Sequence, residues 1–157
     1  IAVIPKIYRR PSQSAGGEAD PPPSIGVSRG SMSVVLEGMN RVSNSPRGTA
    51  YSARITSDEF ALAGKTGTSQ VRRITRAERD TRIQKNEELP WGARDHALFV
   101  AFAPVAAPRY AISVVVEHGG SGSRVAAPIA RDILLEVQGL DRRRRNRAAD
   151  AGGRREG

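Results

Sequence analysis

Ala97-Leu-Phe-Val-Ala-Phe-Ala103 and Tyr110-Ala-Ile-Ser-Val-Val-Val116 are two short apolar runs separated by Pro104-Val-Ala-Ala-Pro-Arg109. Both are rich in β-branched and aromatic residues, and prolines bound the connection between them, so the pair reads as an antiparallel hairpin. Apolar residues fill both alternating sets of positions, as in Leu98, Phe99, Val100 and Val114, Val115, Val116. That pattern predicts strands needing cover on both faces. Gly119-Gly-Ser-Gly-Ser123 breaks the second strand. Beyond it, Ala126, Ile129, Ala130, Ile133, Leu134 and Val137 recur at steps of three and four. They mark an amphipathic helix with Pro128 near its first turn and an end expected around Gly139.

Upstream of the hairpin, Phe60-Ala-Leu-Ala-Gly-Lys-Thr-Gly-Thr-Ser-Gln-Val71 is short, with small residues and threonines. Its glycines favour a strand with close backbone approach over a helix. Residues 72–94 are charged and polar, and at that length form a functional or mobile excursion with room for a short helix. Met32, Val35, Leu36, Met39 and Val42 place one apolar face on an earlier helix, capped at Ser31 and stopped by Asn44-Ser45-Pro46. Residues 9–24, with Pro21-Pro-Pro23, lack any apolar period and read as a loop or linker, and Ala2-Val3-Ile4 as the close of a strand. The expected fold class is α+β, an antiparallel sheet flanked by helices.

The chain of 157 residues is long enough for one core. No apolar stretch approaches the roughly 18 residues of a membrane-spanning helix, and the absence of cysteine removes disulfides, thiolate metal sites and cysteine nucleophiles. The opening Ile1-Ala-Val-Ile-Pro-Lys6 reads as the middle of a chain. The net charge of +9 would suit a polyanion. Much of that excess lies in residues 139–157, where seven arginines face Asp141, Asp150 and Glu156. The run Arg142 to Arg145 repels itself and has no apolar face, so 139–157 is expected to be a basic disordered tail and no nucleic-acid partner is expected. Only Lys6, Lys65 and Lys85 are lysines among 25 basic residues, so a lysine at a telling position carries information.

Gly64-Lys65-Thr66 does not belong to a phosphate-binding loop. The first glycine of that motif would fall at position 59, which is Glu59, a carboxylate of the wrong sign. Lys65-Thr66-Gly67 is instead one of the motifs of penicillin-binding proteins and class A β-lactamases. Four blocks follow in order: Gly64-Lys-Thr-Gly-Thr-Ser-Gln-Val71, Arg94-Asp-His-Ala-Leu-Phe-Val-Ala-Phe-Ala-Pro104, Val116-Glu-His-Gly-Gly-Ser-Gly122 and Ala126-Ala-Pro-Ile-Ala-Arg131. Together with Met39 to Tyr51 they resemble the C-terminal part of the penicillin-binding protein 2 family, the elongation-type (MrdA-like) peptidoglycan D,D-transpeptidases. The resemblance covers residues 25–138. It implies the C-terminal portion of a transpeptidase/β-lactamase-like domain, an incomplete domain by itself. It further implies Lys65 and Thr68 as catalytic residues: an ammonium beside the reaction centre, and a backbone N–H in the oxyanion hole. Thr66, Gly67 and Thr68 would bind substrate, the two hydroxyls taking its terminal carboxylate. No cofactor or metal is implied. The implied partners are peptidoglycan stem peptides, β-lactams and elongation-complex membrane proteins, at the periplasmic side of the inner membrane.

A Ser-x-x-Lys motif is absent, because the three lysines are preceded at that distance by Val3, Leu62 and Arg82. Ser-x-Asn is absent as well: Asn40, Asn44, Asn86 and Asn146 have Gly38, Val42, Gln84 and Arg144 two residues earlier. The nucleophile and its base are therefore expected outside this sequence, and the chain alone is expected to be inactive. Asp95-His96 and Glu117-His118 could supply a metal or a dyad, but histidines beside strands are more often hydrogen-bonded structural groups. Ser57-Asp58-Glu59 reads as a turn, and Trp91 as an anchor for the excursion or a partner contact. The competing class is a non-catalytic module binding a protein or polyanion through a strand edge or basic surface.

Overall fold

Three antiparallel strands, β1 (Ala63–Ser69), β2 (His96–Ala103) and β3 (Tyr110–Val116), form a sheet in sequence order in a computed structural model that describes residues 25–153. The expected strand at residues 2–4 and the loop over 9–24 lie outside the described residues. The hairpin register sets Leu98 against Val115 and Ala101 against Ile112. Along β2, Ala97, Phe99, Ala101 and Ala103 are buried, while Val100 on the opposite face is 44% exposed. The buried face meets Val114 of β3 and the C-terminal helix α3 (Ala127–Gly153), which contributes Ala127, Ala130 and Leu134 to the same cluster. Phe99 is the largest fully buried side chain, and Leu62, Ala50, Ala53 and Ile55 close the core around it.

Helix α1 (Arg29–Asn44) ends where Asn44-Ser45-Pro46 predicts but begins earlier than expected. Its cap is Ser28, not Ser31: Ser28 is extended, and its Oγ accepts the Ser31 N–H at 3.1 Å. The apolar period starts at Met32 and cannot report the first turn, whose orphan N–H groups decide the cap. α1 packs against β1 and the turn at Tyr51–Ala53. Met32, Leu36, Met39 and Val42 are half-buried there, but Val35, expected on the core face, is 55% exposed.

α3 carries the predicted apolar stripe, with Pro128 in its first turn, and then runs past Gly139 through the arginine-rich stretch to Gly153. Composition points to disorder there, and the structure corrects it for the described residues. Arginine is a good helix former, and Gly139 within a helix costs only about 1 kcal/mol relative to alanine. Arg142 pairs with Glu59 at 3.1 Å and Arg143 with Glu136 at 3.1 Å. These pairs are exposed and relieve self-repulsion more than they add stability.

Asp141 fastens α3 to β3. Its carboxylate accepts the Tyr110 hydroxyl at 2.8 Å, and Arg109 lies 3.0 Å away. The Tyr110 hydrogen bond, aided by the Arg109 and Arg145 guanidiniums, holds the Asp141 carboxyl below its ordinary value of 3.8. Burial and the same carboxylate push the Tyr110 phenol up. A lowered acid pKa contributes stability above its unfolded value, lost as pH falls through the folded value. The raised phenol contributes below its ordinary range, lost as pH rises through its folded value. Urea midpoints of the chain should therefore fall on acidification from about pH 5 to pH 2, and Asp141→Asn should flatten that limb. Identical acid limbs for the two proteins would remove Asp141 from the account.

Candidate active site

Among the described residues β1 is an edge strand, paired with β2 alone. Lys65, Thr66, Gly67 and Thr68 stand opposite Val100, Phe99, Leu98 and Ala97. Alternation puts Lys65 and Gly67 on one face, Thr66 and Thr68 on the other. Lys65 and Thr68 are exposed, Thr66 and Gly67 half-buried. The Lys65 ammonium donates to the Thr66 carbonyl at 2.7 Å, folding the side chain along its own strand. The Thr66 hydroxyl lies 3.0 Å from that of Thr49, a residue the sequence analysis did not single out. Its signal was only Gly48-Thr49 within the upstream block.

The glycine loop after β3 backs this strand. A π-helical turn over Gly122–Ala126 leads into α3 and packs against β1 and β2. A Cβ on Gly122 would lie 2.4 Å from the carbonyl oxygens of both Gly67 and Leu98. Two backbone atoms at that distance cannot give way, so only glycine lets the turn approach behind Gly67.

Residues 72–94 contain a short helix α2 (Arg76–Asp80) and two 3₁₀ turns, at Asn86–Glu88 and Trp91–Ala93. Arg72 pairs with Glu78 at 2.6 Å, and Arg82 with Glu88. Asn86 Oδ1 accepts the Asp95 N–H at 2.9 Å, pinning the excursion to the start of β2. The histidines join each other rather than their adjacent carboxylates. The His118 backbone N–H donates to His96 Nδ1 at 2.9 Å, and His118 Nδ1 lies 2.8 Å from the Arg94 carbonyl oxygen. A carbonyl only accepts, so His118 Nδ1 carries a proton, whereas His96 Nδ1 is an acceptor. These bonds and the Trp91 ring, 4.3 Å from that of His118, hold His118 at φ 55, a left-handed conformation uncommon outside glycine. Trp91 thus anchors the excursion while staying half exposed.

Cavity size does not mark the chemistry. An apolar groove of about 790 Å³ runs between α1 and the end of the hairpin, lined by Val34, Leu36, Phe102, Val105 and Pro108, and includes none of Lys65 to Thr68. The lysine strand is an open wall.

An edge strand carrying Lys-Thr-Gly-Thr, backed by a glycine loop and a C-terminal helix, defines a class. The sequence matches the family described as penicillin binding protein transpeptidase domain over residues 6–135, and the chain belongs to that family. Its relatives include peptidoglycan D,D-transpeptidase MrdA of Salmonella typhimurium, 36% identical over 126 residues, which are 80% of this chain and 18% of that protein. MrdA of Escherichia coli is 34% identical over 116 residues, 74% of this chain and 17% of that protein. Among solved structures, the complex of penicillin-binding protein PBP2 and MreC from Helicobacter pylori superposes with a TM-score of 0.57 at 31% identity. The match covers 71% of this chain and 18% of that one. The chain thus spans less than a fifth of the length of these relatives.

Proposed function

We propose that residues 25–138 form one wall of the active site of a peptidoglycan D,D-transpeptidase that cross-links stem peptides during cell elongation. The observation that carries this reading is the position of Lys65-Thr66-Gly67-Thr68 on an edge strand whose outer side has no strand partner among the described residues. A peptide can add along such an edge through backbone hydrogen bonds. The serine nucleophile belongs to a segment this sequence does not contain. Its oxygen attacks the penultimate D-alanine carbonyl, the bond to the terminal D-alanine breaks, and that residue leaves as the amine. The amine of a second stem peptide then takes the acyl group and frees the serine. Lys65 supplies a proton-handling ammonium, Thr66 and Thr68 hydroxyls take the donor's carboxylate, and the Thr68 backbone N–H stabilises the tetrahedral oxyanion. β-Lactams acylate the same serine by opening their ring amide. Catalysis at the periplasmic face of the inner membrane, beside membrane proteins of the elongation complex, completes the proposal. The relative solved with MreC supports a partner of that kind.

The test is a chimera in which residues 25–138 replace the matching segment of Escherichia coli MrdA. A fluorescent penicillin should label the chimera covalently, and a folded but unlabelled chimera would overturn the reading. The chain alone should form no adduct by intact mass, since it has no Ser-x-x-Lys. A serine-linked adduct on it would show that the nucleophile lies within these residues.

A further inference from the structure

The geometry points to Thr49 as a positioning residue for substrate carboxylate recognition, acting through the Thr66 hydroxyl; this rests on the function proposed above. The two hydroxyl oxygens are 3.0 Å apart, and either could donate. A hydroxyl has one proton, and an ionised carboxylate only accepts. When the Thr66 hydroxyl donates its hydrogen bond to the carboxylate, its contact with Thr49 persists only if Thr49 donates to it. Substrate therefore sets one direction along the chain, from the Thr49 hydroxyl to that of Thr66 to the carboxylate. Donation into Thr66 polarises its O–H and strengthens the outer bond.

Thr49 suits this task because its backbone is held from both sides. The Gly48 N–H donates to the Ser45 carbonyl at 2.8 Å, and the Ala50 N–H to the Val42 carbonyl at 3.0 Å. Ala50 is fully buried. A Cβ on Gly48 would sit 2.2 Å from the Val42 carbonyl oxygen and 2.4 Å from that of Arg41, so the turn lies directly on the end of α1. Asn44 closes the circuit: its Nδ2 donates to the Leu62 carbonyl at 2.9 Å, just before β1. The end of α1 thereby sets where Thr49 stands relative to Thr66. Lys65, bonded to the Thr66 carbonyl, occupies the other side of the same residue. Free rotation of the Thr66 side chain is what the Thr49 contact removes.

The experiment uses the chimera and measures penicillin acylation, separating the binding constant from the acylation rate constant. Thr49 is exposed, so Thr49→Val removes the hydroxyl with little change in packing, and Thr49→Ala serves if the valine variant misfolds. Loss of one hydrogen bond should weaken binding about five- to tenfold with the rate constant nearly unchanged, and Thr49→Ser should restore it. A penicillin methyl ester, which lacks the carboxylate, should be indifferent to Thr49→Val. The double variant with Thr66→Val should be no worse than Thr66→Val alone. Binding unchanged in Thr49→Val while Thr66→Val weakens it, or losses that multiply in the double variant, would overturn the role of Thr49 and leave the transpeptidase reading standing. A chimera that is unlabelled, or indifferent to Thr66→Val, would count against the carboxylate site itself and take this inference with it.

Discussion

Lys65→Arg in the chimera is expected to lower the rate of acylation by penicillin on the order of 10² or more, comparable to removing a general acid-base group. Arginine keeps the positive charge but is planar, larger and effectively never deprotonated, whereas an ammonium is a compact donor that exchanges protons readily. Lys65 is exposed on β1 and, among the described residues, bonded to a carbonyl of its own strand. It is free to swing toward a nucleophile brought from elsewhere, and a longer guanidinium would overreach the same place. If the site needs only a cation for the substrate carboxylate, the variant retains acylation within a few-fold of the parent. That outcome would remove Lys65 from the proton path and leave it an electrostatic clamp.

Phe99→Ala in this chain should cost about 3–5 kcal/mol, the range for truncating a fully buried aromatic. Domains have about 5–15 kcal/mol in total, so the variant should unfold at much lower urea or fail to fold. The neighbouring Val100→Ala is the control, because Val100 is 44% exposed and its truncation should cost under about 1 kcal/mol. Far-UV circular dichroism in urea separates the two. Similar midpoints for both variants would contradict the assignment of Phe99's face to the core.

The hairpin was legible almost to the residue: 97–103 and 110–116 expected, His96–Ala103 and Tyr110–Val116 observed. Apolar runs rich in aromatic and β-branched residues, split by a proline-bounded connection, leave few alternatives. The placement of Lys65-Thr-Gly-Thr68 on one strand was equally legible, since its members are consecutive. The boundaries missed were those that side-chain periodicity does not carry. Ser28 caps α1 through its own geometry, and α3 continues past Gly139 because arginine is a good helix former and one glycine is a small cost, with Arg142 and Arg145 set beside Glu59 and Asp141. Thr49 escaped notice for a similar reason: it sits 17 residues from Thr66 in sequence and meets it only after α1 and β1 have docked.

Residue order by itself determined the antiparallel strands, the two long helices, the motif on β1 and the absence of Ser-x-x-Lys from this sequence. It could not choose the core face of the hairpin, because both alternating sets of β2 are apolar. Bulk would favour Leu98, Val100 and Phe102, yet Ala97, Phe99, Ala101 and Ala103 are the set that is buried. The physical reason is close approach. Three alanines leave a shallow surface on which the alanine-rich start of α3 can settle against the sheet, with Phe99 filling the remaining depth. That choice, and with it the side of β1 on which Thr66 meets Thr49, belongs to the packing of distant segments.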